Sequence, residues 1–224
     1  MHPTVEKLIL IKNKVSKIFD EKQLKTDFPQ IIAVSKTFSA ETILPLLDYG
    51  HIHYGENKVQ EAIPKWTVLK KKYNNINLHF LGRLQTNKAK KAIQLFDYIH
   101  SLDSQNLAKT LSKHEIDLKV KKKYFIQVNL DNEIQKSGIK LNELEDFYNY
   151  CSRDLFLNIL GLMCIPPIEK ESEKYFNTLY HEGTKFNLKS FSMGMTQDYD
   201  KAILCGSTFL RIGTAIFGKR QISK

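Results

Sequence analysis

The sequence predicts a single α/β domain, a (β/α)8 TIM barrel with an extra helix at its N-terminus. Three observations predict it. Short apolar runs alternate with longer amphipathic stretches along the chain, the pattern of parallel strands joined by right-handed crossover helices. The runs number eight, the count at which such a sheet closes on itself. The 224 residues are little more than a closed barrel needs, roughly 200. One domain over residues 1–224 is therefore expected to use nearly the whole chain. An open doubly wound sheet is the alternative, because the second and seventh runs are weak.

The elements follow in order. Val5, Leu8, Ile11, Val15 and Ile18 recur in steps of three and four and predict the N-terminal helix. Ile31 to Val34 is the first strand. Ser39 then caps a helix with Glu41 in its first turn and Gly50 at its end, and Pro45 inside it predicts a kink or a late start. His51 to Tyr54 is a weak second strand, with helix from Glu56 to about Lys72. Asn77 to Leu81 is the third strand and Thr86 to about Leu95 the helix after it. Tyr98 to His100 is the fourth strand, and Asp103 caps a helix carrying Leu107, Ala108 and Leu111. Lys123 to Leu130 is the fifth strand, and Asn142 with Glu145 reads as a capping box. Phe156 to Cys164 is the sixth strand, followed by a helix marked by Tyr175, Phe176, Leu179 and Tyr180. Ser190-Phe191 is a brief seventh strand. Asp198 to Cys205 is a short helix ended by Gly206, and Phe209 to Ile212 is the eighth strand.

Composition narrows the functional classes. Hydrophobic residues at 42% and charged residues at 26% suit a globular chain with a sizeable core. No apolar run approaches the ~18 residues of a membrane span, and the first residues lack a basic segment followed by an apolar one. Cys151, Cys164 and Cys205 are scattered and odd in number, which supports neither a disulfide framework nor a zinc ribbon. A cytoplasmic protein, monomeric and without a membrane partner, is expected. The net charge of +10 comes mostly from lysine: of 34 cationic residues only Arg83, Arg153, Arg211 and Arg220 are arginine. Base recognition favours arginine forks, so the lysine clusters are read as solvated faces and no specific nucleic-acid partner is expected.

In barrels of this type the chemistry sits at the carboxyl ends of the strands. There the sequence places Ser35-Lys36-Thr37, Gly55-Glu56-Asn57, Gly82-Arg83-Leu84-Gln85, Met163 to Pro167, Ser192-Met193-Gly194-Met195-Thr196 and Gly213-Thr214-Ala215. The last two loops are the usual phosphate cup. They hold the hydroxyls of Ser192, Thr196 and Thr214, with Gly194 and Gly213 permitting close backbone approach. Lys36 ends an apolar run, where desolvation favours a free amine. An amine across a barrel mouth from a phosphate cup suits pyridoxal 5'-phosphate; a plain surface lysine is the equal alternative. Arg211 lies in the last strand just before the cup, where it faces a ring nitrogen or else pairs outward with a helix carboxylate. His51 and His53 share a strand face without a third ligand, so no metal site is expected. His79 and His100 are read as core or rim histidines.

Several motifs, taken together, carry a resemblance. Ala33-Val34-Ser35-Lys36-Thr37, Tyr54-Gly55-Glu56-Asn57 and His79-Phe80-Leu81-Gly82-Arg83-Leu84-Gln85-Thr86-Asn87-Lys88 run in order. Gln127-Val128-Asn129 with Lys136-Ser137-Gly138, Gly161-Leu162-Met163, Pro166-Pro167, Ser192-Met193-Gly194-Met195 and Arg211 to Gly218 follow. The chain thereby resembles the pyridoxal phosphate homeostasis protein family, which looks like the barrel domain of alanine racemase without its second domain. The resemblance implies that Lys36 carries the cofactor as a Schiff base, that Asn57 lies beside the ring and that Arg211 faces the pyridine nitrogen. It implies that Ser192, Thr196, Gly213 and Thr214 hold the phosphate, Thr196 standing where the family usually has Ser. A role in intracellular vitamin B6 homeostasis, with apo-forms of pyridoxal phosphate enzymes as recipients, is then expected rather than catalysis. A small amino-acid racemase dependent on the same cofactor is the alternative.

Overall fold

The computed structural model describes residues 1–131, 137–167 and 171–218. Strands β1 (Gln30–Val34), β2 (His53–Glu56), β3 (Asn77–Phe80), β4 (Tyr98–Leu102) and β5 (Lys123–Asn129) come first. The two-residue β6 (Ile139–Lys140) follows, then β7 (Ile159–Met163), β8 (Ser190–Met195) and β9 (Phe209–Ile212). All pairings are parallel, in the order β4-β3-β2-β1-β9-β8-β7-β5, and β4 pairs with β5 to close the ring. That closing pair excludes the open doubly wound alternative. Eight strands form the barrel; β6 adds to β5 outside it, through Val128 and Asn129.

Helices cover the outer wall: α2 (Ala40–Asp48), α3 (Val59–Lys72), α4 (Ala89–Leu95), α5 (Gln105–Leu118), α6 (Leu144–Asn149), α7 (Ser172–Lys185), α8 (Tyr199–Leu204) and α9 (Thr214–Phe217). Helix α1 (Pro3–Lys22) precedes the barrel and buries Val5, Leu8, Ile11 and Val15 on one face, as their spacing requires. The main apolar core lies between the strands and these helices. A smaller one, made of Ile32, Val34, Tyr98, Phe125, Met163 and Phe209, fills the barrel itself.

Several local expectations change. Helix α2 begins at Ala40 with Pro45 inside it, so no late start occurs. Ser39 does occupy its N-cap, but its hydroxyl faces Thr42 Oγ1 rather than a backbone N–H. The cap of α5 is Ser104, whose Oγ accepts from Leu107 N–H at 3.4 Å; Asp103 lies one residue outside. Asn142 and Glu145 form no capping box, because a 3-10 turn over Leu141–Glu143 leads into α6. Phe156 is exposed with φ 52°, outside the strand that begins at Ile159. The weak seventh strand extends to Met195, because neighbours on both sides supply its ladder.

The barrel interior is polar, and His79 and His100 are the core histidines their place in the sequence suggests. His53, His79 and His100 point into it and are almost wholly buried, surrounded by Tyr98, Phe125 and Phe209. Burial, aided by the charge of Lys123, holds His53 down to about 4; burial with Lys12 and His53 does the same for His51. Burial also holds His79 and His100 well below their ordinary 6.5, the next causes being His100 for His79 and Arg211 for His100. In the unfolded chain all four take up protons near 6.5, so between that pH and about 4 the unfolded state binds more protons. The urea midpoint is therefore expected to be flat above pH 7 and to fall steeply below 6.5. Each histidine contributes about 1.4 kcal/mol per pH unit of loss. A midpoint unchanged from pH 7.5 to 5 would show that these rings accept protons in the folded barrel.

Candidate functional site

At the carboxyl end of β1 the chain turns at Lys36. Ser35 is fully buried and its N–H bonds Gly55 O of β2 at 2.9 Å. Thr37 takes a left-handed φ of 70°, costly for a β-branched residue, and swings the chain away so that half-buried Lys36 lines the barrel mouth. Glu56, expected at the start of a helix, instead ends β2 with its side chain fully buried. Its Oε1 accepts from Ser35 Oγ at 2.8 Å and Trp66 Nε1 at 2.9 Å and pairs with Lys65 Nζ at 2.7 Å. Lys65 also donates to the carbonyls of Ser35 and Phe38, at 3.0 and 2.9 Å, on either side of the turn. This brace holds the strained backbone that carries Lys36.

A cavity of about 620 Å³ opens beside Lys36. Lys36, Asn57, Thr196, Arg211, Gly213 and Thr214 line it together, with Val34, Leu81, Pro166 and Met195 as its apolar wall. A second cavity of about 360 Å³ shares Lys36, Asn57 and Leu81 and extends toward Arg83, Gln127 and Asn129. Lys36 therefore stands on the divide between the two. A Cβ at Gly213 would stand 3.5 Å from Val34, in ordinary contact, because the loop after β9 runs beside the end of β1. Thr196 Oγ1 accepts from Ala215 N–H at 3.4 Å, tying the loop after β8 to the turn after β9. Gly82 is forced by packing: a Cβ there would stand 2.1 Å from the carbonyl oxygen of Asn57. Asn57 Oδ1 is buried and has no hydrogen-bond partner among the described residues.

Arg211 is 5% exposed. Its guanidinium donates to the carbonyls of Ser192 and Cys164 and to Ser192 Oγ, all neutral acceptors, and among the described residues it forms no ion pair. A buried cation without an anion is costly, and this one borders the cavity. Ser192 departs from the others. Its hydroxyl is fully buried between Arg211 and His100, at 2.8 and 2.9 Å, and it does not line the cavity. Cys164, whose carbonyl holds Arg211, has its thiol pushed up to about 12 by burial. Of the resembling motifs, Lys136 lies outside the described residues.

Two features were missed from sequence: the Glu56–Lys65–Trp66 brace and the role of Ser192. The available signal for the first was a carboxylate at the end of an otherwise buried strand, nine and ten residues before Lys65 and Trp66 on the covering helix.

A parallel barrel with a lysine after β1 and an arginine in its last strand defines a class, and comparison with known proteins agrees. Residues 21–221 match the family model for the alanine racemase N-terminal domain. A pyridoxal phosphate homeostasis protein of Pasteurella multocida is 36% identical over 87% of this chain and 88% of its own length. One from Escherichia coli K12 is 32% identical over the full length of both. The structure of PipY from Synechococcus elongatus with PLP bound superposes with a TM-score of 0.80 at 32% identity, covering 91% of this chain and all of PipY. The chain belongs to the pyridoxal phosphate homeostasis protein family, whose barrel is that of the alanine racemase N-terminal domain.

The brace makes a measurable claim. Glu56→Gln removes the negative partner of a lysine whose side chain is only 11% exposed. Urea unfolding is expected to show a loss of about 3–5 kcal/mol, the usual cost of breaking a buried pair. A loss below about 1 kcal/mol would mean the pair behaves as a screened surface contact.

Proposed function

We propose that this protein binds pyridoxal 5'-phosphate, holds it as a Schiff base on Lys36 and serves intracellular cofactor supply rather than catalysis. The observation that carries the reading is one cavity lined by Lys36, by a buried arginine that forms no ion pair among the described residues and by Thr196 and Thr214. The residues present fit the cofactor's parts. Lys36 is the amine, and Thr196, Gly213 and Thr214 form the phosphate cup. Asn57 places an unsatisfied polar atom beside the ring, and Arg211 offers a donor to the ring nitrogen. Ser192, its hydroxyl already engaged, supports Arg211 rather than the phosphate. PipY, a relative whose structure has PLP bound, supports the choice of cofactor.

When bound, the cofactor supplies an aldehyde. Lys36 would be the residue that holds that aldehyde, through a bond formed with loss of water and reversible by hydrolysis, so the cofactor could be released again to an apo-enzyme. A guanidinium keeps its proton, so a ring nitrogen facing Arg211 stays a hydrogen-bond acceptor and the ring withdraws electrons weakly. That favours holding over turnover.

Borohydride reduction of the cofactor-loaded protein, followed by peptide mapping, is expected to place the adduct on Lys36. An adduct on another lysine with none on Lys36 would overturn the assignment. The same preparation decides between carrier and racemase. Against a panel of L- and D-amino acids no turnover is expected, whereas about one event per second or more, lost in Lys36→Ala, would make the protein an enzyme. Thr196→Ala with Thr214→Ala is expected to weaken cofactor binding about ten- to a hundredfold per hydroxyl that contacts the charged phosphate. Unchanged binding in the double variant, read by equilibrium dialysis, would place the phosphate elsewhere.

A further inference from the structure

Ring nitrogens and one hydroxyl form an unbroken column through the barrel. From the amino end of β2 upward, His53 Nδ1 meets His79 Nε2 at 2.9 Å, and His79 Nδ1 meets His100 Nε2 at 2.9 Å. His100 Nδ1 then meets Ser192 Oγ at 2.9 Å, and Ser192 Oγ meets Arg211 Nη1 at 2.8 Å. Tyr98 stacks on His79 at 4.2 Å and Phe125 on His100 at 4.3 Å, with Phe209 against all three imidazoles, so the column is sheathed in apolar rings.

The direction of every proton in the column follows from its upper end. A guanidinium has donors only, so Ser192 Oγ accepts from Arg211. The hydroxyl hydrogen of Ser192 then has one acceptor among its partners, His100 Nδ1. His100 therefore carries its hydrogen on Nε2 and donates to His79 Nδ1; His79, hydrogen on Nε2, donates to His53 Nδ1. His53 in turn carries its hydrogen on Nε2. The charged groups facing the column are Arg211 at its head and Lys123 at its foot, the latter donating to the Tyr98 hydroxyl at 2.9 Å, with His51 beside His53 through the His53 carbonyl. Both charges are positive and neither favours a proton on these rings.

We propose that Ser192, His100, His79 and His53 are positioning residues for Arg211: a one-way column of neutral rings, oriented by the guanidinium, that fixes where it presents its remaining N–H groups to the cavity. Because each ring already shows an N–H toward the foot, a proton arriving from below finds no lone pair aligned to carry it upward. The ring-nitrogen end of the site is thereby insulated from the solvent below the barrel. The significance for the cofactor rests on the reading that the cavity holds pyridoxal phosphate; the column itself does not.

The test begins with cofactor-free protein. Two-bond nitrogen–proton correlation spectra of histidine-labelled protein at pH 7.5 are expected to show His53, His79 and His100 neutral with hydrogen on Nε2. An Nδ1–H form or an imidazolium at His79 or His100 would overturn the proposal. A break in the middle tests direction. In His79→Phe, shown folded by circular dichroism, His53 is expected to lose its preference and sample both tautomers, while His100, still set by Ser192, keeps hydrogen on Nε2. Loss of preference at His100 with His53 held would reverse the assigned direction. In His100→Phe the Arg211 guanidinium hydrogens are expected to exchange faster, by up to about tenfold, as loss of the neutral hydrogen bond that orients their acceptor Ser192 permits. Unchanged exchange would show that the column does not position Arg211. A separate arm follows the absorbance maximum of bound pyridoxal phosphate, expected to shift in His100→Phe. Failure to load cofactor into the wild-type protein would count against the functional reading alone, since the tautomer and exchange results stand without it.

Discussion

A single oxygen atom, Oε1 of Glu56, organises the mouth of this barrel. It receives Ser35, Trp66 and Lys65 within 3 Å, and through them it joins β1, β2 and α3. Those are the elements that set the direction in which Lys36 leaves β1. The arrangement places a full negative charge beside a positive one out of water, and such pairs pay for themselves only when every lone pair and proton finds a partner. Here Lys65 is nearly saturated, meeting Glu56 and two backbone carbonyls, but Oε2 of Glu56 is buried with no hydrogen-bond partner among the described residues, so the pair holds the geometry of the turn at a cost in stability. The left-handed turn at Thr37 is sustained by those carbonyl contacts rather than by its own preference.

The far side of the site is built differently. Arg211 donates to carbonyls and a hydroxyl rather than to a carboxylate, and Asp198, which lines the same cavity, acts on its charge through space and not through an ion pair among the described residues. The two sides thus divide the work. One neutralises its charge internally to make a rigid support; the other leaves its charge available to a ligand. The barrel interior follows the second pattern, spending space that apolar side chains normally fill on a line of imidazoles that only a consistent set of tautomers satisfies.

Much of this was legible in the sequence. Alternation of apolar runs and amphipathic stretches gives the barrel, and position at strand ends gives Lys36, Asn57, Thr196, Gly213 and Thr214, since parallel strands all bring their carboxyl ends to one rim. Arg211 was legible because it interrupts an apolar strand. Cap residues were less so: Asp103 and Asn142 have the right chemistry but lie one residue outside a helix or in a 3-10 turn, choices made by packing that no short window records. The destination of a hydroxyl was hidden as well. Ser192 stands in a phosphate-type loop, yet its side chain turns inward because His100, 92 residues earlier, offers it an acceptor. Histidines on three neighbouring barrel strands, each separated by a crossover helix, have no sequence spacing that announces their contact.

The approach of Gly82 to Asn57 bears on how natural variation in this family reads. With the Asn57 carbonyl 2.1 Å from where a Cβ would sit, every side chain is excluded at position 82, whatever its chemistry. Purifying selection there would look identical to selection on a ligand contact, although Gly82 offers a ligand no side chain at all. Invariance at 82 would record a backbone collision that any residue at 57 imposes, whereas invariance at Asn57 would have to come from its side chain.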